Sequence, residues 1–267
     1  IGQDIFQQAF FGLDYRAEEV TISLSTPTDP PPGFAAADGI PVPWELVQLL
    51  PIVEAQVGEK TARLIADTGS GVTILTESFT DPALLAGGIT GYLWHTSYGS
   101  DPATIVRLPE LVVGGFSVEQ SWAVVIPDEH HLEPVFDALG VEMDGFLGYP
   151  VYRRFYVAVE GESSRYRFYP YPDLEHIPAG EWDRLGIEVR REDDQVVVDM
   201  VFSPSNAADQ GVLPEDVLVS VDGTQAASLA LDELRLLLRG TPGEIRTLCF
   251  DQENCLDVGV DRLLEPL

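Results

Sequence analysis

Residues 62–79, ARLIADTGSGVTILTESF, place an aspartate between two apolar segments. The alternating run at 62–66 predicts one strand, and the apolar run at 72–75 predicts another. Asp67 therefore directly follows a buried strand. An ionised carboxylate among apolar neighbours costs several kcal/mol unless it has partners. The position of Asp67 constrains the fold, because the folded chain must supply partners for its carboxylate.

The rest of the chain is read as mainly β. Short apolar or alternating runs, separated by Gly, Pro and Asp turns, continue from residue 51 to about 169. A Pro-rich stretch at 25–43 predicts an irregular loop, and 169–180 predicts a linker. Beyond the linker, strands alternate with two short helices, the clearer one at 229–239 with Gly240 as its expected cap.

We therefore predict three segments. Residues 1–44 form an N-terminal strand and Pro-rich loop that pack on the domain after them. Residues 45–175 form a β-domain, and residues 176–267 form an α+β domain.

A second element supports a specific interpretation of Asp67-Thr68-Gly69-Ser70. Residues 144–148, DGFLG, continue as YPVYRRFYVAV. Together the two elements resemble the active-site loop, and the strand that packs beside it, of retropepsin-like bacterial aspartic proteases. The resemblance covers residues 45–169 and implies an acid protease β-barrel with Asp67 as the catalytic group.

The chemistry of this family explains the residue types. Peptide hydrolysis without a metal can use two facing carboxylates that share a proton, one taking a proton from water and the other donating to the carbonyl oxygen. Gly69 lets backbone N–H groups approach the carboxylate. The resemblance implies that Thr68 ties two such loops together and that Ser70 donates to Asp67, which would lower its pKa and favour a mildly acidic optimum.

The chain offers one such loop. Asp222, in VDGT, lacks the hydroxyl residue between Asp and Gly and is expected to be a turn residue. We therefore expect a homodimer in which each subunit supplies Asp67, as in retropepsins. A hairpin near 96–104, with Tyr98 and Gly99 at its tip, is the candidate flap over the substrate; an ordinary surface hairpin is the alternative.

Residues 182–260 resemble a bacterial PDZ domain of the kind attached to periplasmic proteases. The resemblance implies that Leu185, Gly186 and Ile187 form the loop whose N–H groups receive a peptide carboxylate. The run at 203–224 is similar to the PDZ pattern of small residues, Ala, Gly and Val-Asp-Gly. Alternatively, the domain only packs against the catalytic domain.

Composition and the motifs present argue against several other classes of function. The chain has 44 acidic and 15 basic residues, a formal net charge of −29, which argues against a nucleic-acid or anionic-membrane partner. No apolar run approaches the ~18 residues of a membrane span. The sequence EHHLE at 129–133 lacks zinc-ligand spacing, and no phosphate-binding motif occurs, so we expect neither a metal nor a cofactor.

Two cysteines, Cys249 and Cys255, flank a short segment whose residues 251–253 predict a turn. On the two strands of a hairpin they would lie opposite each other and could form a disulfide; reduced thiols are the alternative. A disulfide favours an exported protein, periplasmic or extracellular, whose signal peptide has been removed. A trimmed chain would look the same.

These observations predict an aspartic endopeptidase acting on a peptide or protein substrate. The fold class is a retropepsin-like β-barrel followed by a PDZ-like domain. The opposed hypothesis is a non-catalytic protein that binds peptides through the PDZ-like groove.

Overall fold

The computed structural model describes residues 9–140, 142–174, 180–250 and 254–265. Within these ranges the chain forms two compact units. Unit 1 contains residues 9–84 and 107–174, and unit 2 contains residues 85–106 together with 180–250 and 254–265. The predicted domain boundary at 175/176 and the predicted turn at 251–253 lie outside the described residues.

Strands make up most of the regular structure. In chain order they are β1 (Phe10–Asp14), β2 (Glu19–Ser23), β3 (Ile40–Pro43), β4 (Glu45–Val47), β5 (Leu50–Val57), β6 (Lys60–Ala66), β7 (Ile74–Thr76), β8 (Ile89–Thr96), β9 (Gly99–Arg107), β10 (Leu111–Val113), β11 (Phe116–Ser117), β12 (Trp122–Ile126), β13 (Gly145–Leu147), β14 (Phe155–Glu160), β15 (Arg165–Pro170), β16 (Asp183–Arg184), β17 (Ile187–Glu192), β18 (Gln195–Val201), β19 (Ser220–Val221), β20 (Thr224–Gln225), β21 (Ile245–Cys249), β22 (Cys255–Gly259) and β23 (Asp261–Arg262).

The helices are short. They are α1 (Pro82–Ala86), α2 (Glu133–Leu139), α3 (Tyr149–Tyr152), α4 (Asn206–Asp209) and α5 (Leu231–Leu237), with single 3-10 turns at Ala36–Asp38, Gly161–Ser163 and Ala226–Ser228. Among the helices of the described residues, none has the length and apolar character that a membrane crossing requires.

Two sheets form unit 1. The first is antiparallel, in the order β2-β1-β14-β15-β3. In the second, the strands of unit 1 follow the order β11-β10-β5-β6-β13-β7-β12, with β4 beside β5. This sheet is mixed, because β13 runs parallel to β6 and antiparallel to β7.

The burial pattern of the strands explains how unit 1 is packed. In β5 the buried residues Val53, Ala55 and Val57 alternate with the exposed Glu54 and Gln56, as expected of a strand with one solvated face. In contrast, β14 is buried along its whole length. Such a strand is covered on both faces and forms the centre of its sheet.

Unit 2 contains the pairs β8–β9, β16–β23 and β17–β18 and a sheet in the order β20-β19-β21-β22. Helix α5 packs on β17 and contributes Leu234, which is fully buried, to the core. The helix ends at Leu237, and Leu238 is its C-cap with a negative φ. The expected cap residue Gly240 instead donates its N–H to the Asp183 carbonyl (3.3 Å), because the chain has already turned towards β16.

Candidate functional site

The Asp67 loop is held at its start by a neighbouring strand and is closed by a hydrogen bond of its own. Asp67 directly follows β6 and donates its N–H to the Leu147 carbonyl of β13 (3.0 Å). The N–H of Ser70 then closes a turn on the Asp67 carbonyl (3.2 Å). The loop is therefore held by β13 as well as by the strand that leads into it.

The Asp67 carboxylate is half-buried and accepts a hydrogen bond from within its own loop. The Gly69 N–H donates to Asp67 Oδ1 (2.9 Å). A Cβ at Gly69 would lie 3.3 Å from that oxygen, which would crowd the carboxylate. The φ of Gly69 is not in the left-handed region, so this close contact with Asp67 Oδ1 is the feature that favours glycine here.

The hydroxyl of Ser70 makes a different contact from the expected one. Ser70 Oγ donates its hydrogen to the Val72 carbonyl (2.7 Å), and the Ser70 carbonyl accepts the N–H of Tyr149 (2.9 Å). A hydroxyl has one hydrogen to donate, so Ser70 stabilises the loop and does not donate to Asp67. The prediction of a mildly acidic pH optimum therefore has no support from the Ser70 hydroxyl.

The structure brings the two sequence elements of the site together. Strand β13 runs parallel to β6, with Leu147 opposite Ala66. At its end, a Cβ on Gly148 would lie 2.0 Å from the Val72 carbonyl oxygen. The backbone of residues 145–148 thus lies directly against the Asp67 loop, as the resemblance implied.

Asp144 has a structural role at the start of β13. Its Oδ2 accepts the N–H of Arg63 (2.7 Å), and its own N–H donates to the Arg63 carbonyl (2.8 Å). Its carbonyl accepts the Thr76 N–H (2.9 Å). Asp144 therefore joins β6 and β7 and is not placed as a second catalytic acid.

Aromatic residues near the loop were missed in the sequence. The ring of Tyr15 lies 5.6 Å from that of Tyr149 and stacks on Tyr152 at 6.3 Å. Burial raises the pKa of Tyr15, Tyr152 and Tyr166, and the Asp67 carboxylate is a further cause in each case. These phenols are neutral at physiological pH, and the charge of Asp67 acts on each of them. Tyr149 could have been found from its place after Gly148, whereas no local signal marks Tyr15.

The candidate flap is a regular hairpin. Strands β8 and β9 pair antiparallel with Thr96 opposite Gly99, so that Ser97 and Tyr98 form the turn. Tyr98 is 76% exposed, as expected at a hairpin tip. The hairpin belongs to unit 2. Its role as a flap stays a prediction, as do the predicted segments 1–44, 45–175 and 176–267.

The predicted carboxylate loop leads into β17. Leu185 and Ile187 are buried, and Gly186 has a φ of +91°; a Cβ there would lie 2.3 Å from the Ser205 side chain. The Leu185 N–H donates to the Leu238 carbonyl (3.0 Å), so this N–H is already used within the domain. Binding of a carboxylate at this loop stays a prediction.

An ion-pair cluster lies between β17 and α5. Glu188 pairs with the buried Arg184 and lies 3.7 Å from Arg235. The cavity here has a volume of only ≈ 10 Å³. Its lining residues are Arg184, Ile187, Glu188, Arg235, Leu238 and Arg239. A peptide entering between the strand and the helix must displace a charged side chain, and Arg235 is the most exposed of the three that form the ion pairs.

The remaining candidates have clear structural roles. Cys249 and Cys255 lie opposite each other on β21 and β22 and form a disulfide, with their Cα atoms 4.0 Å apart. Asp222 accepts the Thr247 N–H (2.8 Å), as a turn residue does. Within the described ranges, no three His, Cys, Asp or Glu side chains group in a way that could hold a metal ion.

Comparison with known proteins finds a matching family model for each of two parts of the chain. Residues 53–151 match the family model described as aspartyl protease, and residues 176–248 match the model described as PDZ domain. No curated protein sequence matches the chain. A solved retropepsin-like aspartic protease from Rickettsia conorii is similar to it, with 17% identity and a TM-score of 0.35 over 48% of this chain and 97% of that one. By the two family models, the chain is similar to aspartyl proteases over residues 53–151 and to PDZ domains over residues 176–248.

Proposed function

We propose that the protein is an aspartic endopeptidase that hydrolyses peptide bonds with water activated between paired aspartates. The observation that carries this proposal is the built loop around Asp67: its backbone is fixed by Leu147, and its carboxylate accepts the Gly69 N–H. An ordinary turn on the protein surface would not need to be held by a neighbouring strand in this way. In the proposed reaction, one carboxylate takes a proton from water and the other donates a proton to the substrate carbonyl oxygen.

The second carboxylate comes from another copy of the chain. In the described residues, Asp144 and Asp222 are both used by backbone N–H groups, and the Asp67 loop occurs once. A two-fold homodimer places two identical loops on one axis, which is the simplest way to pair them. Two adjacent carboxylates would then titrate as a unit that shares one proton.

The PDZ domain and the disulfide extend the proposal. A PDZ domain binds an extended peptide as an added strand, so here it would hold a substrate or partner peptide beside β17. Disulfides persist in oxidising compartments, and the bond between Cys249 and Cys255 supports a periplasmic or extracellular location.

The test compares the wild type with Asp67→Asn on an unstructured protein substrate over about pH 3 to 8. Asn keeps the size of Asp but cannot accept a proton, so we expect a rate loss of about 10³-fold or more. The matched control is Asp222→Asn, which retains the oxygen that accepts the Thr247 N–H and should cleave like the wild type. Equal cleavage by Asp67→Asn, or no cleavage by the wild type, would favour the peptide-binding hypothesis.

A further inference from the structure

The β8–β9 hairpin contains an irregularity that docks it on the PDZ part of unit 2. The pairing of the two strands shifts register between Ile89 and Tyr92, which leaves Thr90 outside the ladder. Thr90 pairs with Ser203 instead. The Thr90 N–H donates to the Ser203 carbonyl (2.8 Å), and the Ser203 N–H donates to the Thr90 carbonyl (3.0 Å).

The residues that follow Thr90 continue this contact. Gly91 has a φ of +89°, and a Cβ there would lie 2.0 Å from the Val201 carbonyl oxygen. Only glycine allows β8 to approach the end of β18 so closely. Further along, the Leu93 N–H contacts Met200 Sδ (3.4 Å). The hairpin is therefore docked by backbone contacts at Thr90 and Gly91 and by a backbone-to-side-chain contact at Leu93.

A backbone hydrogen bond connects the docked segment to the predicted carboxylate loop. Phe202, next to Ser203, donates its N–H to the Gly186 carbonyl (2.8 Å) in the predicted carboxylate loop. On the hairpin, burial raises the pKa of Tyr92, and the charge of Glu188 is a further cause. Glu188 belongs to the ion-pair cluster that closes the groove.

We propose that occupation of the PDZ groove by a peptide with a free C-terminal carboxylate is transmitted through Gly186 and Ser203 to the β8–β9 hairpin and orders it. The hairpin lies within the segment that matches the aspartyl protease family. Peptide binding to the PDZ domain would therefore order a hairpin that belongs to the protease segment. Any change in the cleavage rate on peptide binding rests on the proposed function, in which the hairpin is the flap. The docking of the hairpin and its ordering by peptide do not rest on the proposed function.

The first test examines the docking in the full chain. Gly91→Ala introduces a Cβ against Val201, whereas Gly243→Ala has a similar φ (+92°), lies in the same unit and meets nothing within 4 Å. Both variants are made with Asp67→Asn, so that cleavage cannot complicate the result. We expect hydrogen exchange of the amides at 89–96 to quicken by about 10-fold in Gly91→Ala and by less than about 2-fold in Gly243→Ala.

The second test examines transmission. The probes are labelled decapeptides that differ in their C-terminal residue, each as a free acid and as an amide. We expect a free acid to bind and to slow exchange at 89–96 by about 3-fold or more, while its amide has no effect. In Gly91→Ala the free acid should still bind without slowing this exchange.

Several results would overturn the proposal. The first is equal hydrogen exchange at 89–96 in Gly91→Ala and Gly243→Ala. The second is binding of a free-acid peptide that leaves the exchange of the hairpin amides unchanged. The third is failure of every free-acid peptide to bind. None of them depends on peptide cleavage. A protein that cleaves normally can fail these tests, and an inactive one can pass them.

Discussion

At the scale of single residues, the chain holds its carboxylates in two different ways. Asp67 is half-buried and accepts one backbone N–H, from Gly69. Glu160 is 5% exposed and is enclosed by Arg165 and Arg167. A catalytic carboxylate must be free to exchange a proton, whereas a structural one is most stable when its charge is fully paired. The surroundings of Asp67 fit the first requirement, and those of Glu160 fit the second.

The pairing of Glu160 predicts how stability depends on pH. Burial disfavours its charge, but the hydrogen bonds from Arg167 and Arg165 outweigh this effect and lower its pKa. Below the ordinary value of 4.5, the unfolded chain takes up a proton before the folded chain does. The stabilisation by Glu160 is therefore complete above that pH and is lost as the pH falls further.

We expect Glu160→Gln to lower the free energy of unfolding at pH 7 by about 1–3 kcal/mol, a range that allows for solvent screening of Arg165. The difference from the wild type should shrink at roughly pH 3.5, below the ordinary value of 4.5, because the unfolded chain then takes up a proton more readily than the folded chain does. Urea unfolding at both pH values measures this. Glu162→Gln, an exposed neighbour, should change the free energy by less than about 0.5 kcal/mol. An equal loss at both pH values would contradict the assignment.

At the scale of elements, the site depends on contact between β13 and the Asp67 loop. Gly148 has an extended backbone (φ −125°) that any residue can adopt. The close approach of a Cβ to the carbonyl oxygens of Val72 (2.0 Å) and Ser70 (3.1 Å) is therefore the reason for glycine here. In contrast, Gly71 lies next to the loop, and a Cβ there would meet nothing within 4 Å.

This contrast predicts different effects for two equally small substitutions. Gly148→Ala should destabilise unit 1 by about 2–4 kcal/mol and abolish cleavage, because the loop must move away from β13. Gly71→Ala should retain both stability and activity. Urea unfolding and a peptide-cleavage assay measure the two effects. Retention of full activity by Gly148→Ala would show that the contact does not position Asp67.

The disulfide gives a second prediction at this scale. It joins β21 to β22 across a sequence separation of 6. Closing so short a loop restricts the unfolded chain modestly, so replacing both Cys249 and Cys255 by Ser should lower the stability of unit 2 by about 2 kcal/mol. Thermal unfolding measures this loss, and reduction of the wild type should reproduce it. If reduction leaves the melting temperature unchanged, the bond does not contribute to folding.

The elements of the site could be predicted because their signals are local. The apolar run before Asp67, and the FLG sequence before Tyr149, determine strand and turn within a few residues. Other features depend on contacts between distant residues. The direction of the Ser70 hydroxyl, the approach of Tyr15 and the pairing of Thr90 with Ser203 follow from tertiary packing, which a one-dimensional pattern does not contain. Retropepsin-like and PDZ folds were therefore predictable, whereas these contacts were not.

At the scale of the whole molecule, charge opposes the association that the proposed mechanism needs. Each copy has a formal net charge of −29 at pH 7. Repulsion between two such copies is screened by salt and weakened when carboxylates are protonated. We therefore expect a dimer to be favoured by salt and by acid, and the specific activity to fall on dilution most steeply at low ionic strength.

A mixing experiment tests whether each active site contains two copies of Asp67. Equal amounts of wild type and Asp67→Asn are diluted until the subunits exchange and are then concentrated. If both subunits supply the aspartate, random pairing leaves about one quarter of the dimers with two carboxylates, so the activity per total protein should be about one quarter of the wild-type value. If one chain is sufficient, the activity should be about one half. Asp222→Asn in place of Asp67→Asn is the control and should retain the full value, because its loop is intact. The subunits are exchanged at low salt, where repulsion between copies of charge −29 weakens the dimer most, and are concentrated afterwards. A result of one half after complete exchange would exclude a shared site.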